Sequence, residues 1–306
     1  MTAIPRISAA ALRIGALLVL LLAGCGTPAD ALRTVRERGV LRVGTTGDYK
    51  PMSFRDPETG RYWGFDAALA EELANRIGVK LEFVPTTWPT LMKDTLDRKF
   101  DLALCGITIT PGRKKLALMS TGYLGNGKTV LCRAEDANRY TSLAAIDRPE
   151  VRVLENPGGL NEKFARKYLT HAKLAIHPVN EEIPGLIASG KGDVMITEIM
   201  EAAYYCSQDR RLAAPLLDAP FTRGELGALL PPGNEALLKY VDDFIRDARR
   251  SGLLDELKAR YLHGGKRESP APSKREKAPG GAASRIPPRR ASAIRPTWRR
   301  AAATPF

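Results

Sequence analysis

The turns after three β-rich segments carry side chains that can hold a small carboxylate. These turns are rich in hydroxyl, aromatic and basic residues and span Thr45–Pro51, Thr86–Thr90 and Thr108–Arg113. Thr110 followed by Pro111 is typical of a helix start, where free backbone N–H groups favour an anion. The guanidinium of Arg113 can donate two hydrogen bonds to a carboxylate, with another from Thr108. We therefore predict a carboxylate site here; the alternative is that Arg113 is an ordinary exposed helix charge.

The elements around these turns predict an α/β protein with mostly parallel strands. The helix over Asp66–Ile77 shows apolar residues at helical spacing, with Asp66 expected as its N-cap and Gly78 just past its end. The predicted strands are Val40–Gly44, Lys80–Val84, Asp101–Ile107, Val151–Leu154, Leu174–His177 and Asp193–Ile196. The other predicted helices are Trp88–Leu96, Gly159–Leu169, Glu181–Ser189, Asn234–Arg250 and Leu253–Leu262. Ligands of open α/β sheets bind at the carboxyl ends of strands, where the polar turns lie.

Two similar series of strands and helices indicate two lobes, each a doubly wound, mostly parallel sheet. The segments 128–132 and 226–230 are suited to be hinge strands that cross between the lobes. The expected division is 1–24 for a signal peptide, 25–131 for the first part of lobe 1, 132–225 for lobe 2, 226–264 for the return to lobe 1, and 265–306 for a basic tail.

The N-terminus has the pattern of an export signal. Arg6 and Arg13 precede an apolar run that is short for a membrane span and ends in Leu22-Ala23-Gly24-Cys25. That ending resembles the bacterial lipobox, so we expect Cys25 to receive lipid and anchor the protein to a membrane; the alternative is plain cleavage nearby. Either way the predicted location is the periplasm.

Three further cysteines remain, so at most one disulfide can form among them within the chain. Cys132 with Cys206 is the preferred pair, and a buried thiol is the alternative, above all for Cys105 in an apolar run. Cysteine and histidine nowhere cluster at ligand spacing, so we expect no metal and no cofactor.

The net charge of +13 does not indicate a nucleic-acid partner, because of where the charge lies. Between 265 and 306, eleven Lys and Arg stand against only Glu268 and Glu276, and Arg6 and Arg13 in the signal segment add two more positive charges, which leaves the rest of the chain close to neutral at +2. The tail is rich in Pro, Ala, Gly and Arg and cannot bury enough apolar surface to fold. A solvated extension without a role is the favoured interpretation, and contact with anionic lipid or cell-wall polymer is the alternative.

Several segments resemble the amino-acid-binding periplasmic solute-binding proteins and, within them, the periplasmic cyclohexadienyl (arogenate/prephenate) dehydratases. Besides Gly64-Phe65-Asp66, the matching segments are TTGDYKPMSF at 45–54, TTWPTLM at 86–92, ITITPGRKK at 107–115, DRPEVRVLENPGGLNEKFAR at 147–166 and DVMITEIME at 193–201. The run Asn156-Pro157-Gly158-Gly159 is the most specific part. The resemblance implies a two-lobed periplasmic-binding-protein-like fold of type II, with two hinge strands.

The resemblance also implies a lyase of phenylalanine biosynthesis, which removes water and CO₂ from prephenate or arogenate. Glu201 matches the position of the family's general acid, and burial would keep such a carboxyl protonated. Glu198 lies three residues before it, on the same predicted helix, and repulsion between the two would favour a proton on one. The other expected substrate-binding residues are Arg113, Thr108, Asn156, Lys50, Trp88 and Tyr49.

Three departures from the family pattern keep a non-catalytic alternative open. Glu198 stands where these proteins have an aspartate that receives the ligand's ammonium, Met52 where a tyrosine is expected, and Leu226 where a hinge lysine is expected. The alternative is a lipoprotein that binds an amino acid and delivers it to an ABC permease. Solvated surface roles for Glu198 and Glu201 are the third interpretation.

Overall fold

Two five-stranded sheets organise residues 30–262, the part of the chain described by this computed structural model. The first sheet has the order β5-β1-β6-β15-β7, with β5, β1 and β6 parallel and β15 antiparallel to both neighbours. Its strands are β1 (Val40–Thr45), β5 (Lys80–Pro85), β6 (Leu102–Ala103), β7 (Leu118–Met119) and β15 (Leu229–Leu230). This is the sheet of lobe 1.

The second sheet has the order β11-β10-β12-β9-β13, with the first three strands parallel and β9 antiparallel to β12. Its strands are β9 (Lys128–Arg133), β10 (Arg152–Glu155), β11 (Lys173–Ile176), β12 (Val194–Glu198) and β13 (Leu212–Ala213). The two sheets, each with three parallel strands and an antiparallel return, confirm the two-lobed architecture.

In both lobes an aspartate at the N-terminal end of the sheet pairs with an arginine of the neighbouring parallel strand. In lobe 1 the carboxylate of Asp101 accepts a hydrogen bond from Arg42 N at 2.8 Å and forms an ion pair with the Arg42 side chain. In lobe 2 Asp193 accepts from Arg152 N at 2.9 Å and pairs with that guanidinium at 2.7 Å. Each aspartate therefore joins the segment before one strand to the N-terminal half of its parallel neighbour.

The helices cover the sheets largely as their apolar spacing predicts. They are α1 (Ala31–Arg38), α2 (Phe65–Ile77), α3 (Leu91–Leu96), α4 (Pro111–Leu116), α5 (Leu143–Ile146), α6 (Leu160–Tyr168), α7 (Ile183–Ala188), α8 (Ile199–Gln208), α9 (Glu235–Arg250) and α10 (Leu253–Tyr261). Two 3₁₀ turns cover Ala134–Arg139 and Asn180–Glu182, and a small sheet joins β2 (Asp48–Tyr49), β3 (Ser53–Arg55) and β4 (Tyr62–Trp63).

One expected helix cap is wrong. Gly64, not Asp66, occupies the N-cap of α2, whereas Gly78 does end the helix in a left-handed conformation. The Asp66 side chain turns into lobe 1 and accepts hydrogen bonds from Gly106 N and from Tyr123 Oη. It is fully buried there, and burial raises its pKa to about 7.

The crossing between lobes lies just outside the segments expected as hinge strands. The short strands β8 (Leu124–Asn126) and β14 (Gly224–Leu226) pair antiparallel, and each joins one sheet to the other. Lys128–Arg133 belongs to the second sheet and Leu229–Leu230 to the first. Leu226 is shared by β14 and the second expected segment, and the apolar character of the other residues in the two segments reflects burial in the lobes.

The preferred disulfide is absent among residues 30–262, where Cys105, Cys132 and Cys206 are all free. Cys105 and Cys132 are buried, and burial raises the pKa of each thiol to about 12. The same part of the chain has no helix of the length and apolarity needed to cross a membrane. The signal segment, Cys25 and the basic tail lie outside the described residues.

Candidate functional site

A cavity lies between the lobes, at the carboxyl ends of the parallel strands, and the empty space in and around it, open solvent included, is about 370 Å³. Lobe 1 and lobe 2 both supply its walls, and most of the lining side chains are polar. The lining residues are Tyr49, Trp88, Gly106, Thr108, Arg113, Asn156, Gly159, Leu160, Asn161, Asn180, Glu198 and Glu201. All the residues expected to be catalytic or to bind substrate are therefore among them, with the exception of Lys50.

Glu201 is a buried carboxyl in the first turn of α8, with only 1% of its surface exposed. Its Oε1 accepts a hydrogen bond from Asn180 Nδ2 at 2.9 Å, and its Oε2 contacts the Thr197 hydroxyl. Burial, joined by the nearby charge of Glu198, raises its pKa to about 8. Glu201 therefore carries a proton at neutral pH.

Glu198 lies beside it but is the last residue of β12, so the expectation that both glutamates share one helix is wrong. Its carboxylate accepts hydrogen bonds from two lobe 1 side chains, Tyr49 Oη at 2.6 Å and Thr108 Oγ1 at 3.1 Å. Only 8% of the residue is exposed, which rules out a solvated helix surface for it, as burial does for Glu201.

Lys128 is a functional candidate that sequence reasoning treated only as part of a strand. It pairs directly with Glu198 across β9 and β12, and its ammonium lies 3.5 Å from Glu198 Oε1. The same ammonium donates to Asn161 Oδ1 at the start of α6. The one sequence signal was a lysine at the head of an otherwise apolar strand, and its ammonium places a positive charge next to Glu198, which lines the cavity.

Arg113 and Thr108 come together at the lobe 1 wall. Thr110 caps α4 by accepting from Arg113 N at 3.2 Å, as its position before Pro111 predicts. The guanidinium donates from Nη1 to Thr108 O at 2.7 Å, its sole side-chain hydrogen bond within residues 30–262. Burial lowers the pKa of Arg113. The remaining N–H groups are suited to bind a carboxylate.

The aromatic wall is formed by Tyr49 and Trp88, whose rings meet edge to face at 6.1 Å. Asp48 Oδ1 accepts a hydrogen bond from the Trp88 indole at 3.0 Å, which orients that ring. Burial raises the pKa of Tyr49 well above its usual range, as does the charge of Glu198, so the phenol stays a donor. An apolar ring can pack against this aromatic wall.

Two further expected residues stand differently toward the cavity. Asn156 is buried in its wall, directly after β10. Lys50 does not line the cavity; its ammonium lies over the ring of Phe54, 3.9 Å from the ring centre. Its contact with a ligand stays a prediction.

Comparison with known proteins agrees with this architecture. Residues 41–264 match the model of the bacterial extracellular solute-binding proteins, family 3. A cyclohexadienyl dehydratase of Pseudomonas aeruginosa is 43% identical over 231 residues, which cover 76% of this chain and 85% of that protein. The L-cystine-binding protein TcyJ of Escherichia coli is 28% identical, and the match covers 81% of this chain and 94% of that protein.

Among solved structures, an ancestral amino acid-binding protein described as a precursor of cyclohexadienyl dehydratase is similar. It has a TM-score of 0.70 and 35% identity, and the match covers 76% of this chain and all of that one. The residues that match the family model, 41–264, include every residue that lines the cavity. This chain belongs to the bacterial extracellular solute-binding proteins of family 3.

Proposed function

We propose that this protein is a cyclohexadienyl dehydratase, which converts prephenate to phenylpyruvate or arogenate to phenylalanine. One observation carries the proposal: the cavity holds a buried glutamic acid, Glu201, whose pKa is raised to about 8. Binding a ligand requires no such proton donor, whereas expulsion of a hydroxyl group does. The 43% identity to a cyclohexadienyl dehydratase supports the same activity.

The reaction needs one proton and redistributes one electron pair around the ring. The carboxyl of Glu201 gives its proton to the ring hydroxyl, and the carbon–oxygen bond breaks to release water. The bond to the ring carboxylate breaks at the opposite carbon, its electron pair enters the ring, and CO₂ leaves. The ring becomes aromatic and Glu201 becomes a carboxylate, which takes a proton from solvent before the next turnover.

The cavity supplies the groups that hold such a substrate. Arg113 binds the side-chain carboxylate, the Thr108 hydroxyl turns from Glu198 toward that carboxylate when substrate enters, and Trp88 packs against the ring. Lys128 compensates negative charge near the ring carboxylate, and Asn156 contacts the ring substituents. The pair of cavity glutamates thus has divided roles, because Glu198 accepts hydrogen bonds from lobe 1 donors while Glu201 stays protonated.

An amino-acid-binding role is the second candidate, favoured by Glu198 as an acceptor for an ammonium group and by relatives such as the L-cystine-binding protein. In that role the protein would serve an ABC permease. Under either function we place it in the periplasm, with Cys25 as its lipid anchor. The chain takes no nucleic acid as partner in this proposal, and no cofactor enters the chemistry.

The deciding experiment is turnover by the purified protein. Prephenate and arogenate are added separately, and phenylpyruvate and phenylalanine are followed by absorbance and chromatography. In parallel, calorimetry measures binding of a panel of L-amino acids. Formation of either aromatic product supports the dehydratase. Tight binding of an intact amino acid with no product would replace it with the transport function.

A further inference from the structure

Asn180 lines the cavity and is hydrogen-bonded to both lobes, but the proposed reaction gives it no role. It begins the 3₁₀ turn after β11 and is 4% exposed. Its Nδ2 donates to the backbone oxygen of Asp48 in lobe 1 and to Oε1 of Glu201, both at 2.9 Å. A backbone carbonyl only accepts hydrogen bonds, so the contact with Asp48 fixes which end of the amide is nitrogen.

The other end of the amide is therefore an oxygen with a defined place. Asn180 Oδ1 is buried and has no hydrogen-bond partner within residues 30–262. Buried acceptors are nearly always paired, so an unpaired one needs an explanation. Of the residues with such unpaired buried atoms in this part of the chain, Asn180 alone also lines the cavity. A ligand in the cavity is thus the partner that this oxygen can meet.

We propose that Asn180 Oδ1 accepts a hydrogen bond from the ring hydroxyl of the substrate and so selects ligands that carry this hydroxyl. The inference rests on the proposed function and names a specificity-determining residue for it. The Asn180 side chain is also hydrogen-bonded to Glu201. The acceptor for the hydroxyl hydrogen, Asn180 Oδ1, is therefore held next to the carboxyl of Glu201, which donates the proton to the hydroxyl oxygen.

This arrangement fits the step that it would serve. Glu201 gives its proton to the hydroxyl oxygen, the carbon–oxygen bond breaks, and the departing water keeps its original hydrogen. That hydrogen becomes more acidic as the oxygen gains a proton, so its bond to Asn180 Oδ1 strengthens toward the transition state. No atom beyond the substrate and Glu201 changes its bonding.

The test separates hydroxyl recognition from catalysis. Glu201→Gln provides a background in which turnover is too slow to consume prephenate during the binding measurement, and the new amide retains an oxygen that can accept from Asn180. Calorimetry gives the Kd of prephenate and of an analogue with hydrogen in place of the ring hydroxyl. Adding Asn180→Leu should weaken prephenate by about tenfold and the analogue by less than about threefold, since one hydrogen bond is lost.

Asn234→Leu in the same background is the matched control. Asn234 is similarly buried, at 6% exposure, but it accepts from Arg98 Nη1 and does not line the cavity. Its replacement should leave both Kd values unchanged. Thermal denaturation checks that Asn180→Leu is folded. If it is not, Asn180→Ala replaces it, since alanine removes the amide without adding bulk.

Each outcome bears on one of the two proposals. Equal weakening of both ligands, or none, by the Asn180 variant overturns hydroxyl recognition, even when the parent protein turns prephenate over. If the parent binds prephenate better than the analogue but makes no product, the proposed dehydratase activity is wrong. The role of Asn180 is then decided by how much Asn180→Leu changes the Kd of each ligand. A parent that binds neither ligand overturns both.

Discussion

Glu198 ends strand β12 and Glu201 lies in the first turn of helix α8, so two carboxyls enter one cavity from adjoining elements. Their partners make them different. Glu198 accepts from Tyr49 and Thr108 of the opposite lobe, whereas burial and the charge of Glu198 keep a proton on Glu201. A charged acceptor beside a proton donor is an arrangement suited to acid catalysis.

Glu201→Gln tests the proposed acid directly. Glutamine keeps the shape and the acceptor for Asn180 but cannot give a proton to the leaving hydroxyl, so kcat for prephenate should fall by about 10²–10⁴. KM should change much less, because the lost interaction belongs to the transition state. Steady-state kinetics check this. Near-parental turnover in this variant, with loss in Glu198→Gln, would assign the acid to Glu198.

The pH dependence of kcat/KM should report the protonated form of Glu201. Activity should be high below pH 8 and fall above it, because the pKa of about 8 marks where the proton is lost. Glu198→Gln removes the negative charge that helps to raise this pKa, so its high-pH limb should move to lower pH. An unmoved limb in that variant would contradict the electrostatic coupling of the two carboxyls.

Arg113→Ala should abolish ligand binding under either candidate function. The substitution leaves a desolvated carboxylate without its charge-assisted partner, at a cost of roughly 2–5 kcal/mol in binding free energy. Calorimetry with prephenate or an amino acid measures the loss. Lys115→Ala is the control, since Lys115 is an exposed cation on the same helix. Equal affinity in the parent and Arg113→Ala would remove Arg113 from the site.

Asp66→Asn should stabilise the protein at neutral and alkaline pH. Burial raises the pKa of Asp66 from 3.8 to about 7, so its contribution to stability is fully present below pH 3.8 and is lost as the pH rises through 7. Asparagine keeps an acceptor for Gly106 and Tyr123 and has no charge to bury. The gain in Tm over the parent should therefore grow between about pH 4 and 7 and level off above. A pH-independent difference would show that the charge of Asp66 is not what costs stability.

Cys25→Ser tests the proposed anchor in bacterial cells that express the full chain. If Cys25 carries lipid, the parent should sediment with membranes and the variant should appear in the periplasmic extract, as immunoblots of the fractions would reveal. A variant that stays with membranes would instead direct attention to the basic tail, and removal of 265–306 would then be the next comparison.

Much of the fold follows from sequence because apolar periodicity and turn residues act locally. The helix over 65–77, its terminal Gly78 and the Thr110 cap of α4 all lie within about one residue of expectation. The cavity residues after strand ends, such as Arg113 and Asn156, also follow, since strand direction determines which turns meet.

Contacts between distant segments could not be predicted in this way. The carboxyl of Asp66 has the sequence position of a cap, yet burial and two donors from other segments hold it inside lobe 1. The roles of Lys128 and Asn180 were not predicted because their partners are distant in sequence. Lys128 meets Glu198 across a strand pair, and an intervening helix separates Asn180 from Glu201 along the chain. Such pairings depend on register and packing, which one sequence does not display.

The ion pairs of Asp101 with Arg42 and of Asp193 with Arg152 lie at the opposite ends of the strands from the cavity. Scaffold integrity and ligand chemistry therefore occupy separate ends of each sheet. Substitutions at the cavity end can change a hydrogen-bond acceptor into a proton donor, or an ammonium-binding site into a hydroxyl-binding site, without affecting these two ion pairs. The same fold can therefore gain or lose a catalytic group while its stabilising contacts stay in place.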